Sequence, residues 1–243
     1  MKNREKFEPE VIYEDRNFLA VNKPAGLLVH ASNLKLKNKN EKLLEPTLVS
    51  WLLYRYKEIS KVGDDPKVRP GIVHRLDKDT SGVMLIARNQ KYFDYLKKLF
   101  QEHKIRKTYL ALVYGIPKEK KGVINKPIAL KPGTTKRSVF GGKMEKEAVT
   151  EYNLVEGFNE TSDKVFSLLE VHPRTGRTHQ IRVHLASIGC PVLNDQIYAP
   201  KKEKVGSGRL MLHALSLEFT NETGKKILIE SELPKEFREV TDN

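Results

Sequence analysis

The chain has 243 residues, 39% of them hydrophobic and 31% charged, enough to pack a core without disulfides or a structural metal and too apolar for disorder. Lys and Arg number 44 against 31 Asp and Glu, and a net charge of +13 points to a polyanionic partner. The longest apolar runs fall far short of the roughly 20 residues that cross a bilayer, Met1 to Glu10 lacks the apolar stretch of a presequence, and Cys190 has no second thiol to pair with. The expected setting is a reducing cytoplasm, with no membrane contact.

The first predicted elements are short strands, Val11 to Tyr13 and Phe18 to Val21, followed by a turn at Lys23-Pro24-Ala25-Gly26 and a third strand over Leu27 to His30. Lys35 to Lys42 reads as a solvated, low-complexity surface insertion. Thr47 is a good N-cap for a helix in which Leu48, Trp51, Leu52 and Ile59 recur at helical spacing, ending before Gly63. Pro66 to Gly71 is a loop, and strands over Ile72 to Leu76 and Val83 to Ala87 are expected to flank the polar turn Asp77 to Gly82. Asn89 caps a helix to about His103 whose apolar stripe is Phe93, Leu96, Leu99 and Phe100.

Tyr109 to Tyr114 returns to β structure. Between Pro117 and Glu147 nine basic residues face three glutamates, a basic loop or hairpin suited to a phosphate backbone. Strands follow over Ala148 to Val155 and Val165 to Val171, then a helix from Thr178 to Ile188 stopped by Gly189 and Pro191, then strands over Met211 to Phe219 and Lys226 to Glu230. Strands joined mainly by hairpins predict an α+β fold with a mixed, largely antiparallel sheet flanked by helices and loops. No internal repeat or linker divides it, which predicts an N-terminal extension over residues 1–10 and one domain over 11–240.

Two segments could carry chemistry. In His74-Arg75-Leu76-Asp77-Lys78-Asp79-Thr80-Ser81-Gly82 a carboxylate ends an apolar run and opens a tight turn, a rigid setting for a nucleophile or base, or simply for an Asx turn, the role assigned to Asp79. In Thr175-Gly176-Arg177-Thr178-His179-Gln180-Ile181-Arg182 a cation at a helix start needs an anionic neighbour, because the dipole there disfavours it, and His179 and Gln180 can face the same ligand. Arg182 and His184 could instead pair with nearby acids, and a strand tyrosine such as Tyr109 is by itself a packing residue. No paired cysteines, zinc-protease helix pattern or phosphate-binding glycine loop is present in the sequence, so neither metal nor nucleotide cofactor is expected.

In order, the segments resemble the RluA-type pseudouridine synthases, which isomerise uridine in ribosomal or transfer RNA. Val21-Asn22-Lys23-Pro24-Ala25-Gly26-Leu27 resembles the family's first motif, and Gly71 to Asp77 with Thr80-Ser81-Gly82 its aspartate signature. Lys107 to Val113 is similar to the tyrosine-bearing segment, Thr175 to His184 to the third motif, and Leu212-His213-Ala214 to the closing strand. One departure is Asn194-Asp195 where the family has Gly-Asp, and Asn tolerates the left-handed backbone that such a position asks for. With the first motif starting near residue 11, the small RNA-binding domain that many relatives carry ahead of it is expected to be missing.

The resemblance implies a catalytic set of Asp77, Tyr109 and Arg182: Asp77 initiates the reaction, Tyr109 stacks on the extruded base, and the Arg182 guanidinium keeps the carboxylate ionised. It further implies substrate contacts from Lys23, His74, Arg75, Thr80, Arg177, His179 and Gln180, with Leu212 as an apolar wall. The partner is RNA, the cofactor none, the metal none and the oligomeric state monomeric. The rival expectation is a non-catalytic RNA-binding protein or RNA chaperone on the same fold, which would have no use for a carboxylate at Asp77 facing a polyanion.

Overall fold

The computed structural model describes residues 8–30, 46–134, 136–161 and 164–241, so the Lys35 to Lys42 run lies outside the described residues. Apolar and β-branched runs become strands β1 (Glu10–Glu14), β2 (Phe18–Lys23) and β3 (Ser81–Ala87), with helices α1 (Leu48–Arg55) and α2 (Gln90–Gln101). Further along the chain come β4 (Arg106–Tyr114), β5 (Lys121–Asn125), β6 (Ile128–Leu130), β7 (Arg137–Ser138) and β8 (Lys143–Lys146). Then follow β9 (Val149–Thr161), β10 (Lys164–Pro173), α3 (Gln180–Ser187), β11 (Leu212–Thr220), β12 (Lys226–Glu230) and α4 (Lys235–Thr241).

These elements form two units, one holding the described residues to Ile105 with Phe219–Ser231, the other Arg106–Glu218 with those from Glu232 onward. In the first, β1, β2 and β3 pair antiparallel in that order, every residue of β3 is buried, and α2 lays Tyr92, Phe93, Leu96 and Leu99 inward. In the second, antiparallel strands run in the order β11-β4-β10-β9-β5, and α3 packs on β9 and β10 over a core that includes Ala111, Val113, Leu169, Ile181 and Leu185. A separate sheet of order β7-β6-β8 is built from the basic segment, which is therefore ordered strand structure for much of its length. Both units fall in the expected α+β class, and among the described residues no helix is long and apolar enough to cross a membrane.

Four expected elements are corrected. Leu27 to His30 is not a strand, because the Leu28 and Val29 carbonyls are turned to accept from the Leu48 and Val49 amides at the free N-terminus of α1 (2.8 and 3.0 Å). The helix from Thr47 has its predicted cap, reinforced by a reciprocal Ser50 bond, but breaks at Tyr56 and continues only as a 3-10 turn over Lys57–Lys61. Ile72 to Leu76 makes one bridge, Ile72 to Ile86, and is otherwise irregular. The helix expected from Thr178 begins at Gln180, because His179 takes a left-handed conformation (φ 57°) that ends regular structure before it.

Candidate active site

Asp77 stands in an irregular loop that several backbone devices hold in place. Gly71, at φ 70°, presses so close to the end of β3 that a Cβ there would lie 2.7 Å from the Ala87 carbonyl oxygen, and Ala87 N–H donates back to Gly71 O at 2.9 Å. Farther along, His74 Nε2 accepts the Leu85 N–H of β3 at 2.9 Å where a loop carbonyl would otherwise serve. That bond puts the imidazole proton on Nδ1, while the ring stacks on Phe100 at 4.4 Å. An imidazole substituting for a ladder carbonyl explains why Ile72 to Leu76, apolar enough for a strand, does not become one.

The first motif grips the loop immediately after the acid. Lys23 is fully buried, and its Nζ donates to Pro24 O, Leu27 O and Lys78 O, each at 2.9 Å. Gly26 N–H adds a second bond to Lys78 O at 2.9 Å. Lys23 thus donates to carbonyls that fix Asp77's neighbour. Asp77 itself is half-buried, its carbonyl accepting from Thr80 N–H, with Thr80 buried and Arg75 exposed beside it.

The second unit carries the other expected site residues. Tyr109 faces Val171 on β10 and Ala214 on β11, and Leu212 faces Ala111, so strand alternation puts Lys107, Tyr109, Ala111 and Leu212 on one face. Lys107 was not singled out by its sequence motif. Burial pushes its ammonium down to about 8, and its Nζ donates to Thr175 O at 3.0 Å.

Arg182 lies buried on α3 in a two-bond fork with Asp195, Nε to Oδ2 at 2.7 Å and NH2 to Oδ1 at 2.8 Å. Burial would raise the Asp195 carboxyl, but Arg182 and the Tyr198 and Ile197 amides hold it below its ordinary value. Tyr198 also lies under the guanidinium, 5.4 Å from ring centre to Cζ, and its hydroxyl meets His179 Nδ1 at 3.1 Å and the Arg137 N–H at 3.0 Å. Sequence reasoning missed Asp195 and Tyr198 as site-builders; the signal was there in the Asn-Asp pair and the aromatic three residues on.

Asn194 does take the left-handed backbone (φ 63°), and its side chain does more than tolerate it. Its Nδ2 donates to Val205 O and Arg209 O while its Oδ1 accepts from Val205 N–H, stapling the loop that leads to β11. Gln180 is likewise occupied within the protein, Oε1 accepting from Thr175 Oγ1 and Arg177 N–H, Nε2 donating to Val149 O and Thr150 Oγ1. Arg177 is exposed, two residues ahead of His179 rather than in the helix, and its Nε donates to the Glu147 carbonyl.

Acid should weaken this unit in two stages. Burial lowers His184 and pushes His213 down to about 3, so both take up a proton less readily in the fold than their unfolded counterparts do below 6.5. Stability therefore falls as pH drops below 6.5, and Asp195, depressed in the fold from 3.8, adds a further loss below that value. Thermal melting across this range checks the sign; a midpoint flat from pH 6.5 to about 4 would mean the histidines are charged in the folded chain.

Comparison with known proteins identifies the family. The family described as RNA pseudouridylate synthase matches residues 17–187. An "Uncharacterized RNA pseudouridine synthase" of Aquifex aeolicus is 42% identical over 238 residues, 95% of this chain and 71% of the relative. A "Ribosomal large subunit pseudouridine synthase D" of Borreliella burgdorferi is 37% identical over 93% of this chain and 66% of its own length. Among solved structures, "Human RNA Pseudouridylate Synthase Domain Containing 1" is similar with a TM-score of 0.72 at 27% identity, covering 96% of this chain and 87% of that one. With the family matched over residues 17–187 and a relative 42% identical over 95% of the chain, the chain belongs to the RNA pseudouridylate synthase family, in its RluA-type branch, and is an isomerase of RNA.

Proposed function

We propose that this enzyme isomerises specific uridines in structured ribosomal or transfer RNA, flipping the base out and starting the glycosidic rearrangement with Asp77. The observation that carries the reading is the loop around Asp77: a half-exposed carboxylate whose neighbour is clamped through main-chain oxygens by Lys23 and Gly26. A name that points to the large ribosomal subunit in a 37% identical relative, together with a charge of +13, supports RNA of that kind as substrate.

Converting uridine to pseudouridine breaks one carbon–nitrogen bond and makes one carbon–carbon bond without net redox change, so side chains alone can serve. In this reading Tyr109 offers its ring to the extruded uracil, recovering part of the unstacking energy. Arg182, held by Asp195 and Tyr198, is the guanidinium that the third motif offers to the reaction, and Leu212 keeps water from the detached base. Arg75, Arg177 and His179 meet phosphate or the flipped nucleotide, whereas Lys23, His74, Thr80 and Gln180 position the two motifs that do so.

Mapping pseudouridine in RNA from cells lacking the protein tests the substrate. Discrete ribosomal or transfer RNA sites should lose the modification and regain it with the wild-type chain but not with Asp77→Asn; an unchanged map would overturn the assignment, and restoration by Asp77→Asn would favour a non-catalytic role.

A further inference from the structure

The second unit holds a cavity of about 220 Å³ at the far end of β4 from Tyr109. One wall is the sheet, Tyr114 and Gly115 with Val165 and Phe166, and the other is Lys202, Glu203 and Val205 in the segment that leads to β11. Tyr114 is five residues from Tyr109, about 17 Å at the rise of a strand, so the cavity is separate from the face assigned to the flipped base. Tyr114 and Phe166 are paired across β4 and β10 with ring centres 5.9 Å apart. The Lys202 ammonium stands 5.7 Å from the centre of the Tyr114 ring, in the exposed run Lys201-Lys202-Glu203-Lys204 where cations outnumber the acid.

Main-chain groups along both walls are engaged within the protein. Gly115 N–H donates to Val165 O and Gly115 O accepts from Ser167 Oγ, each at 2.7 Å, while Glu203 O accepts from the Tyr114 hydroxyl at 2.5 Å. Val205 N–H and O are both held by the Asn194 side chain at 2.9 Å. The walls therefore offer an occupant two aromatic rings, aliphatic surface and an ammonium, which suits a single aromatic ring carrying one negative charge. The space exceeds the roughly 150 Å³ in which a buried apolar site holds benzene, and the lysines would repel a cationic ring.

The cavity is linked to the arginine fork through Asn194. That residue seats the outer wall by its bonds to Val205, and its own N–H reaches the Tyr114 hydroxyl at 3.4 Å. Its neighbour Asp195 forms the fork with Arg182 and accepts the Ile197 and Tyr198 amides. A ligand that needs both walls binds the seated segment and not an unseated one, so its binding favours the arrangement in which the fork is made. We propose that this cavity is an effector site for a small aromatic monoanion, and that its occupant steadies the Asp195–Arg182 fork through Asn194.

The test uses the full chain with benzoate as probe and benzylamine, the same ring with the opposite charge, as its counterpart. Benzoate should shift the Gly115, Phe166 and Val205 amide resonances with a dissociation constant on the order of 1 mM, the range open to so small a ligand, and benzylamine should bind roughly tenfold more weakly or worse. Lys202→Met, a change at an exposed position, should weaken benzoate about fivefold or more, and Val205→Trp, which fills the cavity, should abolish its binding. At saturating benzoate, hydrogen exchange should slow about threefold or more at the Val205 amide and at the Ile197 and Tyr198 amides that report on Asp195. In Asn194→Gly, which keeps the left-handed backbone but has no side chain to seat the wall, benzoate should leave exchange at Ile197 and Tyr198 unchanged. Absent shifts at the cavity amides, equal binding of benzylamine, or parental benzoate affinity in Lys202→Met would overturn the site, and protection that stops at Val205 would overturn the link to the fork. No RNA enters these measurements, so an error in the substrate assignment would show in the modification map and not here.

Discussion

Asp77→Asn should lower pseudouridine formation by on the order of 10⁴-fold or more while changing RNA affinity by less than about threefold. The amide keeps the size and shape of the carboxylate but cannot attack as an anion or accept the proton at neutral pH. The loop itself should stay in place, because the bonds that hold it run through the backbone oxygens of Asp77 and Lys78 and through the His74 ring. Tritium release from RNA labelled at uracil C5 reads the chemistry, and filter binding reads the affinity. Activity within tenfold of wild type would remove Asp77 from the reaction.

Asp195→Ala should act through both stability and activity. It strips the Arg182 fork of its acceptor and leaves a guanidinium buried without its counter-ion, and it also frees the Ile197 and Tyr198 amides that Asp195 Oδ1 accepts from. Breaking one side of a buried pair costs about 3–5 kcal/mol, visible as a large drop in the denaturant midpoint. Replacing both partners, as Arg182→Met with Asp195→Leu, removes the stranded charge and should recover much of that stability. Activity should remain lost in the double variant, since the guanidinium is gone. A double variant that isomerises uridine at the parental rate would show that the pair is only a packing device.

The sequence carried the strands and helices whose apolar spacing is regular: β2, β3, α2 and β4 fall within a few residues of their expected spans. Legibility ended where side chains replace backbone partners. Leu27 to His30 and Ile72 to Leu76 have strand composition, but helix capping and the His74 ring redirect their hydrogen bonds, and neither effect leaves a periodic trace. The expected site residues came from motif order, whereas Asp195 and Tyr198 stood out once the chain brought them to Arg182, the two charges being 13 positions apart in the sequence.

The clamp beside Asp77 closes on main-chain oxygens: Lys23 and Gly26 hold those of Pro24, Leu27 and Lys78. Mutational drift at 78, an exposed position, should therefore be tolerated, and the demand falls on Lys23 alone, which must reach three acceptors from a wholly enclosed stem. A saturation screen of the two motifs should find position 78 permissive and position 23 nearly invariant.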